Sequence, residues 1–159
     1  MTVKAALLKT FCMAGINAMR KKFRTLNFNL AIGDALEETK GEILEYQKAQ
    51  MQHGLASDGT KIGKYKNKSY AVKKYNLNPK AGAWNVDLKL YGEFYRGMVI
   101  KFFQRSFFII SVDQKYEKLT DKYGERIWGL SEEYKKDYSK VYLEAAINRN
   151  IQKQLNGKL

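Results

Sequence analysis

The sequence predicts an α+β fold in which long helices pack on a small antiparallel β-sheet containing one hairpin, with a long basic loop between the helices and the sheet. Three observations lead there. Apolar residues recur at helical spacing before residue 54 and after residue 131. Two short runs rich in branched and aromatic side chains stand next to each other between Met98 and Val112. Between these regions, residues 56–82 hold glycine, asparagine and lysine with no period.

Taken in order, residues 1–28 read as a basic N-terminal helical arm, and 29–159 as a single α+β domain ending in a C-terminal helix. In the arm, Leu8, Cys12, Met19 and Phe23 share one helix face, and Val3, Leu7 and Phe11 share another. Residues 30–53 read as a helix with an apolar stripe of Ile32, Leu36, Ile43 and Leu44. Asp34, Glu37 and Glu38 stand early in it, where the helix dipole favours acids, and Gly54 comes next as a C-cap. Within the basic loop, Lys68 to Tyr75 adds a helical turn or two. Leu88 to Arg96 is either a short helix or an earlier strand. Met98, Val99, Ile100, Phe102 and Phe103 form one strand of the hairpin, and Phe107, Phe108, Ile109, Ile110 and Val112 the other. Neither strand alternates cleanly, so both faces of the hairpin are expected to be covered. Lys115 to Tyr123 reads as a short helix closed by Gly124, and Ser131 as the N-cap of a last helix running to about Leu155. That helix has two apolar faces. Tyr134, Tyr138, Val141, Tyr142 and Ala145 form one, and Leu143, Ile147, Ile151 and Leu155 the other, which serves either as an oligomer interface or as more core.

Composition narrows the function classes. A chain of 159 residues, 45% hydrophobic and 13% aromatic, supports one ordinary core and excludes disorder along its whole length. Basic residues outnumber acidic ones 29 to 16, a net charge of +13. Such an excess points to nucleic acid, an anionic membrane surface or acidic proteins as partners, or else to a solvated basic face. The charge is blocked: residues 1–28 carry +6, 29–53 carry −3, 54–82 carry +6, and the remainder is only weakly basic. Cys12 is the one cysteine, which excludes an intrachain disulfide and a cysteine-based metal site and fits a reducing compartment. No apolar run approaches the ~18 residues of a membrane span. The acid-free arm has the bias of a targeting peptide, but Lys9 interrupts its apolar stretch and no clean cleavage site comes after it, so a basic helix is the better reading.

Catalytic patterns are missing. His53 and Cys12 fall in different helices, and no spacing of His, Cys, Asp or Asn matches a zinc or calcium site. The segment from Gly54 to Gly59 has a phosphate-loop gap, but Thr60 stands where lysine is required and no strand precedes it. The carboxylate pairs Asp87 with Glu93 and Asp121 with Glu125 have no nucleophile or metal motif beside them. The chain is therefore expected to be no enzyme and to need no metal or cofactor. The basic loop is the candidate contact region: Lys61, Lys64, Lys66, Lys68, Lys73 and Lys74 are interleaved with Tyr65, Tyr70 and Tyr75. Lysines meet phosphates and tyrosines stack on bases or sugars, so the loop can touch DNA or a partner protein; the alternative is a solvated loop.

The segments Gly59-Thr60-Lys61-Ile62-Gly63-Lys64-Tyr65, Asp87-Leu88-Lys89-Leu90-Tyr91-Gly92-Glu93-Phe94-Tyr95, Lys122-Tyr123-Gly124 and Ile127-Trp128-Gly129-Leu130 resemble a family of small tailed-phage virion proteins, the neck, head-tail connector and tail-completion proteins. The likeness spans roughly residues 40–130. It implies an α+β structural subunit of the virion, assembled in the host cytoplasm into a homo-oligomeric ring at the head-tail junction. Portal, neck or tail proteins and packaged DNA are then its partners, and no membrane is involved. Tyr91 stands where many relatives carry threonine. In such a ring Leu143, Ile147, Ile151 and Leu155, together with the arm, are the expected subunit contacts.

Overall fold

The structure, a computed structural model, describes residues 15–103 and 106–157. Residues 15–24 are helical (α1) and exposed apart from half-buried Lys22; Leu8, Cys12 and the other early arm residues lie outside the described part. Next come α2 (Phe28–Glu38), α3 (Lys40–Gln52), α4 (Lys68–Leu77), a 3-10 turn Pro79–Ala81, and α5 (Glu93–Arg96). The hairpin of β1 (Met98–Phe103) and β2 (Ser106–Ser111) is antiparallel, with Phe102 opposite Phe107 and Val99 opposite Ile110. After α6 (Tyr116–Tyr123), a second 3-10 turn Glu125–Ile127 leads to α7 (Glu132–Tyr138), a π turn Ser139–Leu143 and α8 (Glu144–Asn156). The fold is the expected α+β arrangement, mostly helical with one small hairpin. Between Leu88 and Arg96 the chain forms the short helix α5 and no strand.

The helix expected over 30–53 is interrupted at Thr39, whose backbone leaves helical geometry at φ −106° and ψ 18°. The Thr39 hydroxyl bonds back to the Ala35 carbonyl at 2.7 Å and meets the Tyr138 hydroxyl at 2.6 Å, a local bond that competes with the helix ladder. Of the expected apolar stripe, Ile43 is buried and Leu36 and Leu44 pack against the core, and only Ile32 falls outside it. Ala31 and Ala35 are buried on α2, whereas Ile32 is exposed, because α2 packs closely on α8 through small side chains that include Ala146. Both ends of α2 are tied down: Asn27 exchanges two hydrogen bonds with Gln154, and Glu38 accepts from Arg149 and Asn150.

Glycine ends α3 as expected. Gly54 donates to the Met51 carbonyl and Leu55 to that of Gln50, a Schellman closure that requires the left-handed φ of +69° at Gly54. Two apolar clusters meet at Leu44 and Trp128: Met51, Ile62, Val86, Phe94 and Ile127 on one side, Ile43, Ile109, Leu130 and Tyr138 on the other. Gln47 and Gln50, both fully buried, tie α3 to the chain before α7. Gln47 donates to the Ile127 carbonyl, and Gln50 donates to that of Gly129 while accepting from the Ser131 N–H. Ser131 occupies the N-cap position of α7, but its side chain makes no capping bond.

The C-terminal faces differ from expectation for a geometric reason. A π turn takes in one residue more than an α turn, so the helix beyond it is rotated by about 100°. Tyr138 is buried as expected, but Val141, Tyr142 and Ala145 are exposed, and Ala146 and Asn150 take the inward positions. Leu143, Ile147, Ile151 and Leu155 are all half-buried by the chain itself, and Leu143 packs against the second cluster. The chain thus already covers part of the face expected to meet a neighbouring subunit.

Candidate functional site

Three of the four segments that carry the resemblance meet around Asp87. This residue lies in an extended stretch bracketed by Trp84 and Leu88, both at positive φ (71° and 53°), a conformation that non-glycine residues adopt rarely. The Asp87 carboxylate is buried and fully engaged. It accepts from Lys74 Nζ at 2.7 Å, from the Tyr65 hydroxyl at 3.0 Å and from Asn78 Nδ2 at 2.9 Å, with the Lys89 N–H at 3.3 Å. Lys74 also donates to the Lys89 carbonyl, and the Tyr95 hydroxyl donates to the Asp87 carbonyl. Burial, and then the charge of Asp87, push the hydroxyls of Tyr65 and Tyr95 well above the ordinary phenol range. A carboxylate so surrounded ties α4, Tyr65 and Asn78 to the chain before α5.

Lys74 is therefore a correction to the expected contact loop: its side chain is 4% exposed and neutralises Asp87. An unpaired charge at that depth is costly, so α4 turns this lysine inward. The loop it belongs to is held in place elsewhere as well. Arg126 donates to Thr60 Oγ1 at 2.6 Å and to the carbonyls of Lys61 and Ile62 at 3.0 and 2.8 Å. Ser57 returns a bond to the Arg126 carbonyl.

Above Asp87 lies a cleft of about 400 Å³ between the Tyr65–Tyr70 segment, the Leu88–Phe94 segment and α6. Tyr65, Tyr70, Tyr91 and Tyr123 contribute rings to it. Tyr65 and Tyr70 meet edge to face at 5.0 Å, and Tyr91 is 72% exposed. Lys66, Lys89, Lys115 and Lys122 surround the rings, and none of the four forms an ion pair among the described residues. Lys122 stands 5.0 Å over the Tyr123 ring. The only lining acid, Glu93, is exposed and faces Arg96 at 3.6 Å.

Of the contact residues expected from sequence, Tyr65, Lys66 and Tyr70 reach this cleft, and Lys74 lines its floor while its charge is paired with Asp87. Lys64, Lys68 and Lys73 are exposed outside it. Lys61 bends back, its ammonium donating to the His53 carbonyl at 2.8 Å. Lys89, Tyr91, Lys115, Lys122 and Tyr123 are the residues that sequence reasoning missed. Lys89 and Tyr91 stand in one of the segments that carry the resemblance and Lys122 and Tyr123 in another, which is the signal that could have found them; Lys115 has none.

The hairpin forms a second exposed feature. Its inner face, with Met98 and Ile109 buried, lies on α3. Its outer face carries Val99, Lys101 and Phe103 from β1 and Phe108 and Ile110 from β2, with Val112 just beyond. Phe103, Phe108 and Val112 are 63%, 58% and 73% exposed. Val99 and Ile110 on that face are half-buried, so the cover expected on both faces is only partial among the described residues, in which neither strand pairs with a third.

Among the described residues no cluster of three or more His, Cys, Asp or Glu could hold a metal ion, and no helix is long and apolar enough to cross a membrane. Comparison with protein-family models, curated proteins and solved structures finds no match to this chain.

Proposed function

We propose that this chain is a non-enzymatic structural subunit of a tailed-phage virion that assembles with its own copies into a ring at the head-tail junction, as a connector, neck or tail-completion component. The observation that carries the reading is the outer face of the hairpin. A two-stranded sheet is marginal by itself in water, and a contiguous apolar patch on a monomer marks an interaction surface. The unpaired edges of β1 and β2 are different surfaces of one subunit, and contacts between unlike surfaces generate rings when the rotation closes. The resemblance of the segments around Asp87 supplies the virion setting, with portal, neck or tail proteins as neighbours and packaged DNA near the basic surfaces. The subunit contact proposed from the structure is the hairpin, in place of Leu143, Ile147, Ile151 and Leu155.

Light scattering of the purified chain, freed of nucleic acid, at low and high salt tests this reading. A discrete oligomer that survives high salt and is lost in the Phe103→Asp, Phe108→Asp variant, with the far-ultraviolet circular dichroism spectrum retained, supports it. A wild-type monomer at both salt concentrations, or an oligomer indifferent to the substitutions, counts against it.

A second reading, a small basic nucleic-acid-binding module, is favoured by the cleft with its unpaired lysines. Steep loss of DNA or RNA affinity with rising salt is its signature.

A further inference from the structure

We propose that the cleft above Asp87 binds single-stranded nucleic acid, with unpaired bases on its tyrosine rings and phosphates at its lysines. The inference rests on the second functional reading and is independent of ring assembly. Its first ground is charge. Other lysines without an ion pair, such as Lys64, Lys68 and Lys73, are spread over the surface, whereas Lys66, Lys89, Lys115 and Lys122, also without an ion-pair partner among the described residues, converge on one cavity. The ground for bases is the set of rings between those charges. Tyr91 is the most exposed of them, at 72%, and so the one most open to stacking, while Tyr70 is held edge to face against Tyr65.

Other polyanions fit less well. A duplex keeps its base faces stacked inside the helix, out of reach of the tyrosines. An extended acidic peptide would need main-chain partners, but the nearby backbone is already paired: the Tyr65 N–H donates to the Trp84 carbonyl at 2.8 Å and the Val86 N–H to that of Gly63 at 2.9 Å. The Lys74–Asp87 pair below the cleft is closed to solvent and contributes no net charge to repel phosphate. Glu93, the one acid in the lining, faces Arg96.

Fluorescence anisotropy with a labelled oligothymidylate of about a dozen nucleotides, titrated at several salt concentrations, tests the assignment. Four phosphate contacts give a slope of log affinity against log salt of about −3, and Lys89→Glu with Lys122→Glu should reduce it to about −1.5 or less. Tyr91→Ala should weaken binding about tenfold without changing that slope, since it removes stacking and not charge. Circular dichroism checks that each variant is folded; Lys89, Tyr91 and Lys122 are all exposed. Binding that is unchanged in both variants overturns the cleft assignment while leaving a nucleic-acid role elsewhere on the surface. Tighter binding to a duplex of equal length, or binding of a poly-glutamate peptide with no binding of the oligothymidylate, overturns the ligand class. No binding of any nucleic acid overturns the second reading together with this inference.

Discussion

The Asp87 region and the β-hairpin invert the usual distribution of polar and apolar groups. At Asp87 a carboxylate and an ammonium are buried in the domain with every charge answered, while on the outer face of the hairpin Phe103 and Phe108 are more than half exposed among the described residues. The first region is complete within one chain. The second leaves apolar side chains open to solvent, and the contrast separates groups that hold the fold from groups that its stability does not need.

The largest expected effect breaks the first region. Asp87→Ala leaves Lys74 buried without a counter-charge and should destabilise the domain by about 3–5 kcal/mol, measured by urea unfolding. If the cost is the unpaired charge, adding Lys74→Met should recover most of the loss. Arg126→Ala removes the charged bonds that pin Thr60, Lys61 and Ile62 and should cost about 2 kcal/mol in the same assay. A weaker effect is expected at Glu38. The Arg149 hydrogen bond first, then that of Asn150, hold its carboxyl below the ordinary value of 4.5. Its contribution is therefore fully present above that value and lost as pH falls through the lowered folded pKa. Thermal melts between neutral and acid pH should show this loss in the wild type and a flatter profile in Glu38→Gln. Phe103→Asp with Phe108→Asp should change monomer stability least, by no more than about 0.5 kcal/mol, since both side chains are more than half exposed. A large loss there would make the outer face part of the fold.

The hairpin, the closures at Gly54 and Gly124, and the entry to the last helix were legible in the sequence, because each is written in neighbouring residues. What failed depended on distant ones. Ile32 looked like core and is exposed because α8 approaches α2 through alanines; Lys74 looked like a surface cation, and only Asp87, across a turn and an extended segment, draws it inside. Tyr65, Lys66 and Tyr70 were found by the alternation of lysine and tyrosine. Lys122 and Tyr123 stand in a segment that carries the resemblance, but Lys115 reaches the same cleft only because α6 folds back against it, a placement with no local signal.

The π turn at Ser139–Leu143 means that the last helix carries one spare residue. With a residue removed there, a regular α-helix would bring Ala146 to the seventh place after Tyr138, two turns on and on the same side. Deleting exposed Val141 should therefore be tolerated, with the thermal midpoint near that of the wild type. Deleting exposed Lys136, which has no such slack around it, should put Tyr134 and Tyr138 out of phase with each other and lower the midpoint sharply. The C-terminal helix can thus absorb a change of length at one point along its course and at few others.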